Sequence, residues 1–192
     1  IHVGDSTLMK VGFKDGDKIM SIDGKTAVYD VRRFTRKLFR ADTITVDRDG
    51  SIVKIAIPVN IYGQLIENKN QKRTGFIEPR LPALVNKVPD TSAAYRSGLR
   101  KNDLVTAIDS VKVNYMHELY PVLDKVKGKN VLITVLRDGK EVSFNHLIND
   151  EGQIGFNSYQ GQFEKMDSLG WLKYEHTKYS ALAALPAGVK RT

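Results

Sequence analysis

Apolar and polar residues alternate in two short stretches that lie far apart in the chain. Thr43-Ile44-Thr45-Val46 faces Ile52 to Ile57 across Arg48-Asp49-Gly50-Ser51, and Val131 to Leu136 faces Glu141 to Phe144 across Arg137-Asp138-Gly139-Lys140. A period of two predicts strands with one buried face, and Asp-Gly at the crossing predicts tight antiparallel hairpins. Upstream of each hairpin, apolar residues recur at helical spacing: Val31, Phe34, Leu38 and Phe39 in one place, Met116, Leu119, Leu123 and Val126 in the other. Pro121 predicts a shortened or kinked second helix unless it falls in the first turn. Further upstream come a predicted strand, Lys18 to Ile22 or Leu104 to Ile108, and a short helix, Thr7 to Val11 or Ser92 to Ser97. The short helices end at Gly12 and Gly98, since glycine suits the left-handed closing position.

These parallels are one unit written twice. Gly12-Phe13 to Asp23-Gly24 aligns with Gly98-Leu99 to Asp109-Ser110 at a constant offset of 86, and Arg48-Asp49-Gly50 aligns with Arg137-Asp138-Gly139 at 89. Two small domains are expected: residues 1–60, then a polar linker over 61–73, then 74–159. A C-terminal extension follows over 160–192. Its small apolar stretch, Tyr179 to Val189, is flanked by Lys178, Lys190 and Arg191. It reads either as an interfacial segment or as a helix docked on the second domain.

Composition narrows the chemistry. There is no cysteine, which excludes disulfides and thiolate metal sites. No run of 18 or more apolar residues occurs. Thirty basic against 22 acidic residues give a formal charge of +8, and the cations along Arg32 to Arg40 suit a solvated helix face, with no nucleic-acid motif beside them. His117-Glu118 opens like a zinc-binding helix, but Pro121 stands where the second histidine is required. His2, His146 and His176 are far apart in sequence, so no metal site is expected. No Gly-x-Ser-x-Gly and no phosphate-binding glycine loop occurs.

The run from Val88 to Asp103, with Pro89, Ser92-Ala93-Ala94, Ser97-Gly98-Leu99 and Asn102-Asp103, resembles the bacterial PDZ pattern. Ser97 replaces the usual alanine and Asn102 the usual glycine. The first copy keeps Gly12-Phe13 and Gly16-Asp17 and is the more divergent. The resemblance implies an α+β, β-rich fold of two tandem PDZ-like domains, each a small partly open barrel with one short and one longer helix. The join around Gly63-Gln64-Leu65-Ile66 and Gly75 to Pro82, and the tail around Leu185-Pro186-Ala187-Gly188-Val189-Lys190, resemble site-2 zinc metalloproteases of the RseP type. On that reading the chain is a piece cut from a longer protein, opening abruptly at Ile1-His2-Val3.

What this resemblance implies for function is selection of a membrane-embedded, anti-sigma-factor-type substrate without catalysis, either by capture of a freed C-terminus or by size exclusion of uncut substrate. PDZ modules add an extended peptide as a strand at a sheet edge. By resemblance, Gly75, Phe76 and Ile77 form the loop that receives a peptide carboxylate in the second module, opposite Met116, Leu119, Tyr120 and Leu123. Phe76, Leu119 and Leu123 as plain core residues are the alternative. Ile154-Gly155-Phe156 reads as a closing strand. The implied partner is an extended peptide or C-terminus of a membrane-protein substrate, with membrane association through helices outside this sequence and no nucleic acid. The expected place is the periplasmic face of a bacterial inner membrane. No cofactor is expected in the fragment, and zinc is implied for the parent protein. The alternatives are the PDZ region of a periplasmic HtrA-type serine protease and a stand-alone peptide-binding scaffold.

Overall fold

The computed structural model describes residues 1–27, 34–38, 40–67, 76–159 and 162–170. It divides into two units, Ile1–Leu81 with Tyr115–Pro121, and Pro82–Asn114 with Val122–Thr192.

In the first unit the order is β1 (His2–Val3), α1 (Ser6–Val11), β2 (Lys18–Ile22), β3 (Lys25–Thr26), α2 (Phe34–Leu38), β4 (Thr43–Arg48), β5 (Ser51–Ala56), α3 (Ile61–Glu67) and β6 (Ile77–Glu78). The four-stranded sheet runs β3-β2-β4-β5, and β1 pairs separately with β6. Ile44 and Val46 of β4 point inward and are fully buried, as the alternation requires. They pack with Leu8, Phe13, Leu38 and Ile55. Asp5 caps α1 by accepting from the Thr7 N–H at 2.7 Å. Gly12 closes that helix at φ +118, a conformation that L side chains rarely adopt. At the hairpin Asp49 (φ 50) and Gly50 (φ 86) both take positive φ, the two-residue turn that Asp-Gly favours.

The rest of the chain repeats the plan: β7 (Val85–Lys87), α4 (Ala93–Ser97), β8 (Leu104–Ile108), β9 (Val111–Lys112), α5 (Met116–Lys125), β10 (Asn130–Arg137), β11 (Lys140–Leu147), β12 (Asn157–Ser158) and α6 (Phe163–Ser168). Its sheet runs β9-β8-β10-β11, with β7 and β12 paired apart. Ser92 caps α4 through the Tyr95 N–H at 3.1 Å, and Gly98 closes it at φ +121. Even the aspartates after β2 and β8 match. Asp23 (φ 48) accepts from the Thr43 N–H, and Asp109 (φ 49) accepts from the Leu132 N–H.

One expectation meets a different structure: the stretch read as a linker over 61–73 opens with α3, whose Ile61 and Leu65 belong to the first core. These two are four apart, on one helix face. α5 holds Pro121 in its interior and runs on to Lys125, with Leu119 and Leu123 buried. Within the C-terminal extension α6 forms, with Met166 buried. Val31 to Arg33, Phe39, Gly75 and the apolar tail 171–192 lie outside the described residues.

Candidate functional site

In each unit a two-residue strand following a Gly-Phe pair lies against the strand that precedes the short helix. β6 pairs antiparallel with β1, His2 opposite Glu78 and Val3 opposite Ile77, and the Gly4 N–H donates to the Phe76 carbonyl at 3.2 Å. β12 pairs antiparallel with β7, Asn157 opposite Lys87 and Ser158 opposite Val85. The Phe76 strand and the Gly155-Phe156 strand therefore do the same job. Each closes its own unit by bringing the end of the unit beside its beginning.

This pairing sorts the expected site residues. Ile77 faces inward opposite Val3 and is a core residue of the first unit, not a pocket wall of the second. Phe76, one step along the strand, points the other way and is 37% exposed. Phe76, Ile77, Met116, Leu119 and Tyr120 fall together in the first unit, and Leu123 falls in the second. Leu119 and Leu123 are buried, while Tyr120 is 50% exposed. The segment after β6 runs along the start of α5. The Met116 N–H donates to the Leu81 carbonyl at 2.8 Å, Arg80 lies over the Tyr115 ring at 3.9 Å, and it reaches Glu118 at 3.4 Å. Burial, aided by the Glu78 charge, pushes the Tyr120 phenol above its usual pKa.

A second duplicated constellation is structural. Asp17 and Asp103 have fully buried side chains, and each receives a bidentate arginine: Arg48 at 2.7 and 2.8 Å, Arg137 at 2.7 and 2.8 Å. The same guanidinium holds the carbonyl that ends the short helix, Gly12 or Gly98, at 2.7 Å. Burial alone would raise the Asp17 pKa. The bonds from Arg48 and the Lys14 N–H outweigh it and hold the carboxyl below the usual range. A signal for this was present in the sequence: the repeat keeps Arg before Asp-Gly, although the turn itself needs only Asp-Gly.

The Ser97 hydroxyl and the His146 Nδ1 are 2.9 Å apart, but Ser97 donates to the Ala94 carbonyl and His146 is almost wholly buried. The hydroxyl is spent, so the pair is not an activated nucleophile. Burial lowers the His146 pKa, partly offset by a hydrogen bond with the Ile154 backbone. Elsewhere, His2, Asp15 and His117 converge, their ligand atoms all within 4.8 Å of one another. Sequence spacing could not reveal this, because His2 lies in β1 and His117 in α5, far apart along the chain.

Residues 64–147 match the family model for the PDZ domain. The fold is β-rich α+β, consistent with a PDZ-like arrangement. The matched window includes β6 and stops before β12, so the Gly-Phe strand it contains is the one that pairs with β1. A Treponema pallidum (strain Nichols) protein whose name assigns it to the zinc metalloproteases is 28% identical over 139 residues, 71% of this chain and 30% of that protein. The Arabidopsis thaliana protein named protease Do-like 11, mitochondrial, is 38% identical over 73 residues, 32% of this chain and 13% of its own length. The chain thus spans less than a third of these curated relatives. Among solved structures, an HtrA-type protease, AlgW, with a decapeptide is 18% identical and overlaps 59% of this chain and 42% of its own, at a TM-score of 0.30. A serine endoprotease from Yersinia pestis gives 17%, 59% and 44%, at 0.31. Superpositions this loose carry no argument here.

Proposed function

We propose that this chain is the non-catalytic substrate-recognition region of a bacterial membrane-embedded zinc metalloprotease of the site-2 type, acting at the periplasmic face. The observation that carries the peptide-binding part is the repeated closing pair, β1 with β6 and β7 with β12. In each, the Gly-Phe strand has a single strand neighbour among the described residues. An extended substrate segment adds beside β6, gaining ladder hydrogen bonds. The exposed rings of Phe76 and Tyr120 flank it as apolar contacts. The glycine-containing loop at Gly75 receives a terminal carboxylate. Phe156 offers the second unit the equivalent edge. The zinc metalloprotease relative, matched along 71% of this chain, supports the choice of parent, and zinc would be held by residues outside this sequence. A second reading, the PDZ region of an HtrA-type serine protease, is supported by the higher identity over the shorter Do-like match.

Calorimetric titration with matched free-carboxylate and amidated peptides tests the site. Tighter binding of the free carboxylate is expected, and Phe76→Ala should weaken it about 5-fold or more, the ordinary cost of truncating an anchoring aromatic. Equal binding of both peptides removes carboxylate capture. Unchanged affinity in a folded Phe76→Ala chain removes β6 as the docking edge. The sequence upstream of Ile1 separates the parents: a hydrophobic span fits the metalloprotease, a trypsin-like domain fits the other.

A further inference from the structure

Three side chains of the first unit converge on one point. Asp15 sits in the turn after α1, where its Oδ1 accepts from the Val3 N–H at 2.6 Å. This fixes the carboxylate. His2 Nδ1 lies 3.2 Å from Oδ1 and 3.1 Å from Oδ2, and His117 Nε2 is 3.9 Å from Oδ2. The rings stack, with centroids 3.9 Å apart and planes 18° apart. The two histidine side chains are only 14% and 13% exposed, and the carboxylate is 42% exposed, which leaves a route from solvent.

We propose that His2, Asp15 and His117 form a binding site for one borderline divalent transition cation, of which Zn2+ is the type. Two neutral imidazoles and one carboxylate suit such an ion, and the softer thiolate preference plays no part in a chain without cysteine. Tetrahedral zinc with bonds of about 2.0–2.1 Å needs ligand atoms about 3.3 Å apart, so binding closes the cluster from 4.8 Å and turns the two stacked imidazoles toward the ion. Water takes the fourth position. The single carboxylate leaves the bound ion a net charge of +1. Of the nearby cations, the Arg80 guanidinium is engaged by Glu118 at 3.4 Å and by the Tyr115 ring, and the Ile1 ammonium donates to the Asp17 carbonyl at 2.8 Å. The ion would tie the start of α5 to β1 and the turn after α1, all within one unit. The proposal stands whether or not the peptide reading does.

The test is titration of the chelator-treated chain with ZnCl2, followed by heat and by thermal shift. One Zn2+ per chain is expected, with a higher Tm. His2→Ala and His117→Ala should each weaken binding by ~10- to 100-fold and abolish the Tm rise. His146→Gln, in the other unit, should bind as the wild type does. Co2+ in place of Zn2+ should give the visible absorption of a four-coordinate site in the wild type and lose it in both alanine variants. Because Asp15 also holds Val3, the histidine variants rather than an Asp15 variant decide the outcome. Absence of binding, or binding unchanged in folded His2→Ala and His117→Ala chains, overturns the proposal.

Discussion

Arg137→Ala is the sharpest probe of what holds the second unit together. Asp103 is completely buried and accepts from Arg137 Nε at 2.7 Å, Arg137 Nη2 at 2.8 Å and the Arg100 N–H at 2.7 Å. Truncating the arginine leaves a buried carboxylate with one backbone donor, and losing one partner of a buried pair costs about 3–5 kcal/mol. The reverse change, Asp103→Ala, is milder. The Arg137 side chain is 31% exposed and can turn to water while keeping the Gly98 carbonyl. Its cost is about 1.5–3 kcal/mol, that of a lost charge-assisted bond. The double variant should be less destabilised than the sum of the two, since no orphan charge remains. Native-state hydrogen exchange in β8 and β10 reads the second unit by itself, which a global melt of a two-unit chain does not. Equal costs for the two single variants, or strict additivity in the double, would refute the account. Arg48→Ala should do the same to β2 and β4, where Asp17 sits in matching geometry.

Other predictions follow from the same geometry. The depressed His146 pKa means that the unfolded imidazole takes a proton, as pH falls below about 6.5, that the folded one still refuses. The second unit should therefore lose Tm on acidification until the folded pKa is passed, and His146→Gln should flatten the profile; an unchanged slope would remove His146 as the cause. Asp17 works in the opposite sense. Its stabilisation is present above the ordinary carboxylate pKa and drains away as pH falls below about 4 toward the lowered folded value. Asp17→Asn should abolish that part of the acid transition, measured by circular dichroism. Gly12→Ala and Gly98→Ala share a φ near +120, a strain of about 1–3 kcal/mol. The new Cβ at 98 would lie 3.3 Å from Phe144 Cγ, against 3.9 Å from Ile55 Cγ2 at 12, so Gly98→Ala should be the more destabilising in urea titration.

Local signals were legible in the sequence where the physics is local. The hairpins at Asp49-Gly50 and Asp138-Gly139, the strands from Lys18 and Leu104, and the helix-closing glycines all declare themselves through period and turn chemistry. What escaped depends on residues distant along the chain. β6 and β12 are two residues long, too short to show alternation, and only pairing with β1 and β7 reveals them as closing strands. That is why Ile77 read as a pocket residue and stands in a core. α3 hid inside a polar stretch because only Ile61 and Leu65 mark its buried face. The Arg48–Asp17 and Arg137–Asp103 pairs were visible as repeated letters but not as contacts. The His2–Asp15–His117 cluster had no spacing rule to betray it.

Closing each unit with its own final strand has a topological consequence. Adjacent strands lie about 4.8 Å apart, so the strand that opens each repeat and the strand that closes it lie in neighbouring positions, like the two ends of a loop tied at its neck. A module of this kind can be spliced into a host polypeptide without prying the host's flanking segments apart. Copying it in series only adds another loop on the same thread.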